Sequence, residues 1–222
     1  MLKVENTDVY GWEAAIRGMR NPLESWNKSD TQYFDGGVFR VPKIGSNDLK
    51  LMKKLSKAGN DHAKFLRMIN VTCDITAPMY WWKQADQYRI GVTTNSTSTM
   101  HSIHKKEFTL DDFSHEHLIG DGVIILCDLI VVLNEARDSY LNFDEYYHKG
   151  ELNEEITDKK DIWWQMIQLL PSSYNQKRTV QLNYQVLKSM YFARKGHRLD
   201  EWETLRQWMK TLPYFKEIVI QE

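Results

Sequence analysis

The chain has 222 residues, of which 42% are hydrophobic, and a formal net charge of −1. That length supplies one substantial core, and 29 Lys and Arg against 30 Asp and Glu leave no global pull toward nucleic acid or an anionic membrane. No apolar run reaches the roughly eighteen residues of a membrane span, and MLKVENTDVYGW lacks a secretory h-region, so the expectation is a single cytoplasmic domain over 1–222. Cys73 and Cys127 stand in apolar surroundings without CxxC spacing and are expected to be buried, reduced thiols.

In chain order, Trp12 to Arg20 reads as a short helix that stops near Asn21-Pro22. Trp26 to Gly45 is rich in turn residues, with a β-prone piece at Gly37 to Val41. Asn47 is a plausible N-cap for a helix over Asp48 to Ala58, closed by Gly59-Asn60. Met68, Val71, Cys73 and Ile75 alternate in part, as in a half-buried strand. Ala77-Pro78 then opens a helix running toward Arg89, because Pro is favoured in a first turn, and the loop VTTNSTSTMH follows.

The second half reads as helical. Helices are expected over Asp121 to Tyr140, Ile162 to Leu169 and Leu199 to Lys210, with a charged connector, HKGELNEEITDKKD, before the second. After the Leu170-Pro171 stop a long helix is expected from about Ser173. On it Asn183 and Arg194 lie eleven residues apart, about three turns, and so share a face with Leu187. An amide and a guanidinium on a largely buried stripe need partners. A phosphate, a planar heterocycle or a neighbouring carboxylate would each serve, and so would a snorkelling Arg that reaches solvent.

Other motifs carry less. The Thr/Ser loop has small hydroxyl residues but neither GxxxxGK[ST] nor GxGxxG. His115-Glu116-His117 reads as the cap region of the helix near Asp121, and His101 with His104 lacks a third ligand, so no metal site is expected. No serine sits in GxSxG, and the pairs Trp81-Trp82 and Trp163-Trp164 read as one ring in the core and one at an interface.

Two separated blocks resemble the flavin-dependent thymidylate synthases, which methylate dUMP using FAD, NADPH and methylenetetrahydrofolate. Leu170-Pro171 followed by Asn183, Leu187 and Arg194 is similar to that family's L-P and N-A-R-S-L-(…)-F-(…)-L-R elements, and His197, Trp202 and Glu203 to its H-A-Q-W-E-I ending. Ala77-Pro78 through Gln84 to Arg89 is similar to its A-P-(…)-R-Q-(…)-R-H-R signature. The Thr/Ser loop falls where the family has N-E-x-S-x-R-Y. The resemblance covers roughly a third of the chain.

By this resemblance the fold is α/β, a curled, mainly antiparallel sheet flanked by long helices, assembled as a homotetramer with sites between subunits. Arg194 takes the central catalytic place and, with Gln84, holds the pyrimidine nucleotide. Asn95, Thr97, Thr99 and Gln185 occupy further nucleotide-contacting positions, and Arg89, Asn183, Tyr88 and Gln87 the flavin-contacting ones. Several of these depart from the motif: Gln87 and Tyr88 replace an Arg and a His, Gln185 replaces an Arg, and Asn95 and Thr99 stand for Glu and Arg. Two functions follow, a flavin-dependent change to a pyrimidine nucleotide, or a non-catalytic nucleotide-binding or protein-interaction homologue without the flavin reaction. A DNA-binding module is disfavoured by the absence of a basic stripe.

Overall fold

A computed structural model describes residues 2–33 and 41–221. In chain order the strands are β1 (Lys3–Tyr10), β2 (Asn70–Pro78), β3 (Thr93–Ser96) and β4 (Asn175–Asn183). The helices are α1 (Trp12–Arg20), α2 (Ser46–Lys57), α3 (Met79–Ala85), α4 (Thr99–Ser102), α5 (Asp121–Leu141), α6 (Phe143–Lys149), α7 (Lys159–Leu169), α8 (Tyr184–Ala193) and α9 (Asp200–Met209). The strands form one open sheet in the order β1-β2-β4-β3, and β1 runs antiparallel to β2 from Lys3 opposite Thr76 to Tyr10 opposite Asn70. The chain is thus mixed α/β with a four-stranded sheet. Among the described residues no helix is long and apolar enough to cross a membrane.

The backbone clusters into two compact units. One comprises the described residues of Leu2–Thr76, Gln84–Asn95 and Arg178–Glu222. Here β2 buries Val71, Cys73 and Ile75 and turns the intervening residues outward, the period-two pattern of a strand. Trp12 on α1 packs edge-on against Tyr184 of α8 at 5.5 Å, and Tyr184 against Phe215 at 5.5 Å. The Tyr184 hydroxyl donates to the Pro213 carbonyl at 2.7 Å, so this buried ring keeps its polar end paired. Burial pushes the Tyr184 hydroxyl's pKa well above its ordinary value.

The start of α2 is capped from outside the helix. Asp30 accepts from the backbone N–H of Asn47 and Asp48 at 2.9 and 3.1 Å, which serves the orphan donors of the first turn. These bonds, the Asn47 one foremost, hold the Asp30 carboxyl below its usual range. Asn47 lies inside the helix and is not its cap, contrary to the sequence expectation; Gly45 takes that place.

The other unit comprises Ala77–Lys83 and Ser96–Lys177. Its core joins Ile103, Phe108, Phe113, Leu126, Leu133 and Met166, with α5 packed on α7. Both Trp81 and Trp82 are buried, so both rings lie in the core where one was expected at an interface; the Trp82 indole N–H donates to the Gln176 carbonyl at 3.0 Å. Trp163 is half-buried and Trp164 is exposed. Helix α5 is apolar on nearly every side, and Ile124, Ile125, Val131 and Val132 are each between 45% and 66% exposed. Cys127 sits on this outward side and is exposed, not buried.

The largest correction concerns 173–194. It is not one helix: Asn175–Asn183 is strand β4, burying Gln176, Val180 and Leu182, and α8 begins only after Asn183. The expected all-helical second half therefore contains a sheet strand. Pro78 closes β2 and does not open a helix, and α3 stops at Ala85, short of Arg89. β1 was not assigned from the sequence. The β-prone piece at 37–41 lies, apart from Val41, outside the described residues.

Candidate functional site

Two chain turns in the first unit, at the two ends of α8, carry most of the sequence-predicted residues. Asn183 leaves β4 with extended backbone and its side-chain oxygen accepts from Val186 N–H at 3.1 Å, an N-cap of α8. Arg194 is the C-cap residue of the same helix, its N–H bonded to the Met190 carbonyl at 3.0 Å. The eleven-residue spacing survives, but as the two caps of a ten-residue helix.

The Arg194 side chain is held by aromatic residues. Its guanidinium carbon lies 4.5 Å from the Trp202 ring centroid and 5.3 Å from that of Tyr88, and its Nε donates to the Tyr88 hydroxyl at 2.9 Å. Trp202, buried at the start of α9, donates its indole N–H to Gln84 Oε1 at 3.1 Å. The His197 ring stands 6.1 Å from Trp202, and its Nδ1 accepts from Leu199 N–H at 3.1 Å, which assigns the ring proton to Nε2. Gln84, Tyr88, Arg194, His197 and Trp202 therefore form one cluster. Among the described residues no carboxylate pairs with Arg194 and its two Nη atoms make no hydrogen bond. A guanidinium stacked on an indole with its terminal fork unpaired can receive a phosphate or a planar carbonyl pair. The amide nitrogen of Gln84 is likewise left to donate, since its oxygen is taken by Trp202.

The turn before β3 reaches the other cap. Gly91 has φ of +75°, and a Cβ there would stand 2.9 Å from Asn183 Nδ2, so only glycine fits without displacing the amide. Arg89 and Gln87 are exposed on this turn. Gln185, one residue into α8, donates to Asn60 Oδ1 at 3.1 Å, and its own Oε1 is buried without a partner. Lys188, one turn further on, donates to the carbonyl and hydroxyl of Ser56 at 2.5 and 3.1 Å, and burial lowers its pKa. Arg178 pairs with Asp86 at 2.8 Å.

Asn95 is exposed near the end of β3 in this same unit. Thr97 and Thr99 belong to the other unit, where Thr97 N–H and hydroxyl both donate to the Lys177 carbonyl at 2.9 and 3.3 Å, and Thr99 begins α4. Thr97 thereby extends the strand pairing to Lys177. Among the described residues no three of His, Cys, Asp or Glu are grouped to hold a metal ion.

Trp202 and His197 complete the Arg194 cluster and Gly91 abuts Asn183, although none of the three stands among the sequence-predicted site residues. Trp202 and His197 stood in the matched ending, and a glycine two residues after Arg89 is a turn signal; pattern alone could not show that they face Arg194 and Asn183.

No family model matches the chain, and no curated protein does. Solved structures do. The crystal structure of thymidylate synthase X from Helicobacter pylori with FAD and dUMP is 14% identical, with a TM-score of 0.64 over 99% of this chain and 97% of that one. The flavin-dependent thymidylate synthase from Helicobacter pylori complexed with FAD and dUMP is also 14% identical, with a TM-score of 0.65 over 98% of this chain and 97% of that one. The chain thus shares the fold of flavin-dependent thymidylate synthases.

Proposed function

We propose that this chain is a flavin-dependent nucleotide enzyme of the thymidylate synthase type, forming dTMP from dUMP or making a related flavin-dependent change to a pyrimidine nucleotide. The observation that carries the reading is the Arg194 fork, stacked on Trp202 and held through Nε by Tyr88, with both Nη atoms unpaired. In this reading Arg194 receives the nucleotide's anionic or carbonyl oxygens and the Gln84 amide donates to the pyrimidine. Asn95 and Gln185 supply further nucleotide contacts, and Arg89, Asn183, Tyr88 and Gln87 border the flavin. Bound FAD would supply the redox chemistry, with NADPH and methylenetetrahydrofolate as reductant and carbon donor. The residues fit such a group in part: Arg89 is an exposed cation, whereas Gln87, Tyr88 and Gln185 bring no charge. The chain's own work is to orient the nucleotide, which needs no protein nucleophile.

We further read 1–222 as one domain of a homotetramer with sites shared between subunits. What supports self-association is the exposed apolar side of α5, with Ile124, Ile125, Val131 and Val132, larger than scattered surface aliphatics require. Ile125→Glu with Val132→Glu would then lower the mass found by light scattering.

A specific observation favours a second reading, a nucleotide-binding homologue without the flavin reaction. The Asn183 oxygen already caps α8, the Arg194 Nε is already bonded to Tyr88, and three cations of the motif are neutral here. An absorption spectrum of the purified protein with and without FAD, followed by dUMP titration, separates the readings. Flavin bands together with dTMP formation are expected for the enzyme. A colourless protein that binds dUMP through Arg194 is the binding homologue, and a protein that takes up neither overturns both.

A further inference from the structure

A second basic cluster lies in the unit that contains α5 and α7. His104 follows α4, and its ring packs on Tyr140 of α5 with centroids 4.8 Å apart. Lys159, the first residue of α7, places Nζ 4.5 Å from the centroid of the same Tyr140 ring. Arg137, one turn before Tyr140, donates Nε to the His104 carbonyl at 3.0 Å. An imidazole and an ammonium thus meet at one tyrosine, and a guanidinium holds the backbone of the same histidine. Lys105 adds a further charge beside His104.

Among the described residues these cations have no paired counter-charge. Elsewhere Arg20 is paired with Asp48, Arg178 with Asp86, Arg206 with Glu203 and Lys106 with Asp112. Among the described residues Lys105, Arg137 and Lys159 make no ion pair, and the Arg137 Nη atoms make no hydrogen bond. His104 Nδ1 is buried without a partner, while Nε2 is not shut off in this way. A proton on Nδ1 would be a buried unpaired donor, so the neutral ring carries its proton on Nε2. Burial first, then the charges of Lys105, Lys159 and Arg137, hold the imidazole pKa below its ordinary value. A bound dianion would remove that opposition, as an opposite charge nearby favours the protonated ring.

We propose that Arg137, Lys159 and His104 form a binding site for a phosphate group, either free or carried by a nucleotide. The Arg137 fork supplies paired donors, Lys159 a point charge, and His104 Nε2–H a third donor. The site is independent of the flavin reading and stands if that reading fails.

The test follows the His104 imidazole of the full chain by NMR as sodium phosphate is added, with sodium chloride at matched ionic strength as the control and His104→Gln to assign the signal. A saturable shift with a rise in the His104 titration midpoint is expected in phosphate alone. Lys159→Met is expected to weaken it about tenfold or more, the loss of one charge-assisted contact. Arg137→Gln is expected to do the same. Because Arg137 also holds the His104 carbonyl, Lys159→Met, whose ammonium bonds no backbone, decides should the Arg137 variant fail to fold. The same shift with dUMP extends the site to nucleotide phosphates, and a shift with inorganic phosphate alone confines it to the free ion; either supports the proposal. No saturable shift, an equal shift in chloride, or affinity unchanged in Lys159→Met overturns it.

Discussion

Two arginines of the same unit, Arg20 and Arg194, are held by opposite means. Arg20 is buried with every nitrogen used: Nε donates to Asp48 at 2.7 Å, and the two Nη atoms to the carbonyls of Ser25 and Lys28 at 3.1 and 3.0 Å. Asp48 in turn accepts from the hydroxyls of Ser29 and Thr31 and from the N–H of Asp30 and Thr31. This pair fastens the 25–31 segment to α2 and has no valence left for a ligand. Arg194 is fixed through a ring face and one hydroxyl, so its terminal nitrogens stay unpaired. A saturated guanidinium is a structural rivet, whereas one oriented by its flat face and Nε alone is placed to bind.

The contrast can be broken most sharply at Asp48. Asp48→Asn leaves Arg20 as an uncompensated buried cation and should cost about 3–5 kcal/mol in urea unfolding, with dUMP affinity of the folded protein unchanged. A loss under about 1 kcal/mol would show that the pair is not the fastener.

Acid should act on the same place. Burial pushes the Asp48 carboxyl up, but the bonds from Thr31, Ser29 and Arg20 and the Arg20 charge outweigh it and leave the pKa below the usual range. A depressed carboxyl pKa contributes stability that is whole above the unfolded value of about 3.9 and is lost as pH falls through the folded value. Unfolding free energy should therefore drop on acidification below about pH 4, with a shallower slope in Asp48→Asn. Parallel slopes in the two proteins would refute it.

Arg194→Ala should reverse the pattern. Stability should change little, while dUMP binding by calorimetry weakens about tenfold to a hundredfold, the loss of a charge-assisted contact of about 1.5–3 kcal/mol. Unaltered affinity would remove Arg194 from the site. The smallest effect belongs to Asn183→Ala, which takes away the α8 cap at a cost of about 1 kcal/mol. If Asn183 touches flavin as well, FAD affinity falls beyond what the stability loss explains; if it only caps, thermal unfolding alone moves.

Much of this was legible in the residues. α1 is read to the residue, and α5, α7 and α9 to within a few residues, because their apolar spacing is long and their ends carry stop or cap signals. The strand 175–183 was not, for a physical reason. Its buried positions are Gln176, Val180 and Leu182, with exposed Lys177 and Gln181 between, so the apolar alternation is thin and the helical pattern of 184–193 runs back over it. The spacing marks Asn183 as a site amide, whereas in the fold its side chain caps α8. Gln84, Tyr88 and Arg194 meet as a cluster, yet their meeting depends on Trp202, whose indole orders both Gln84 and Arg194 and which no spacing rule singles out. Thr97 has its hydroxyl turned to a strand carbonyl because the loop carrying it pairs with Lys177.

A Cβ at position 91 would stand 2.9 Å from the Asn183 amide nitrogen. A methyl group there would do more than strain its own backbone, since it would push on the amide that sets where α8 begins, and Arg194 sits where α8 ends. A lineage keeping this arrangement would find position 91 nearly closed to substitution, while its exposed neighbour Ile90 could drift. A saturation library of the turn, scored only for folded yield, would reveal that asymmetry without any ligand being known.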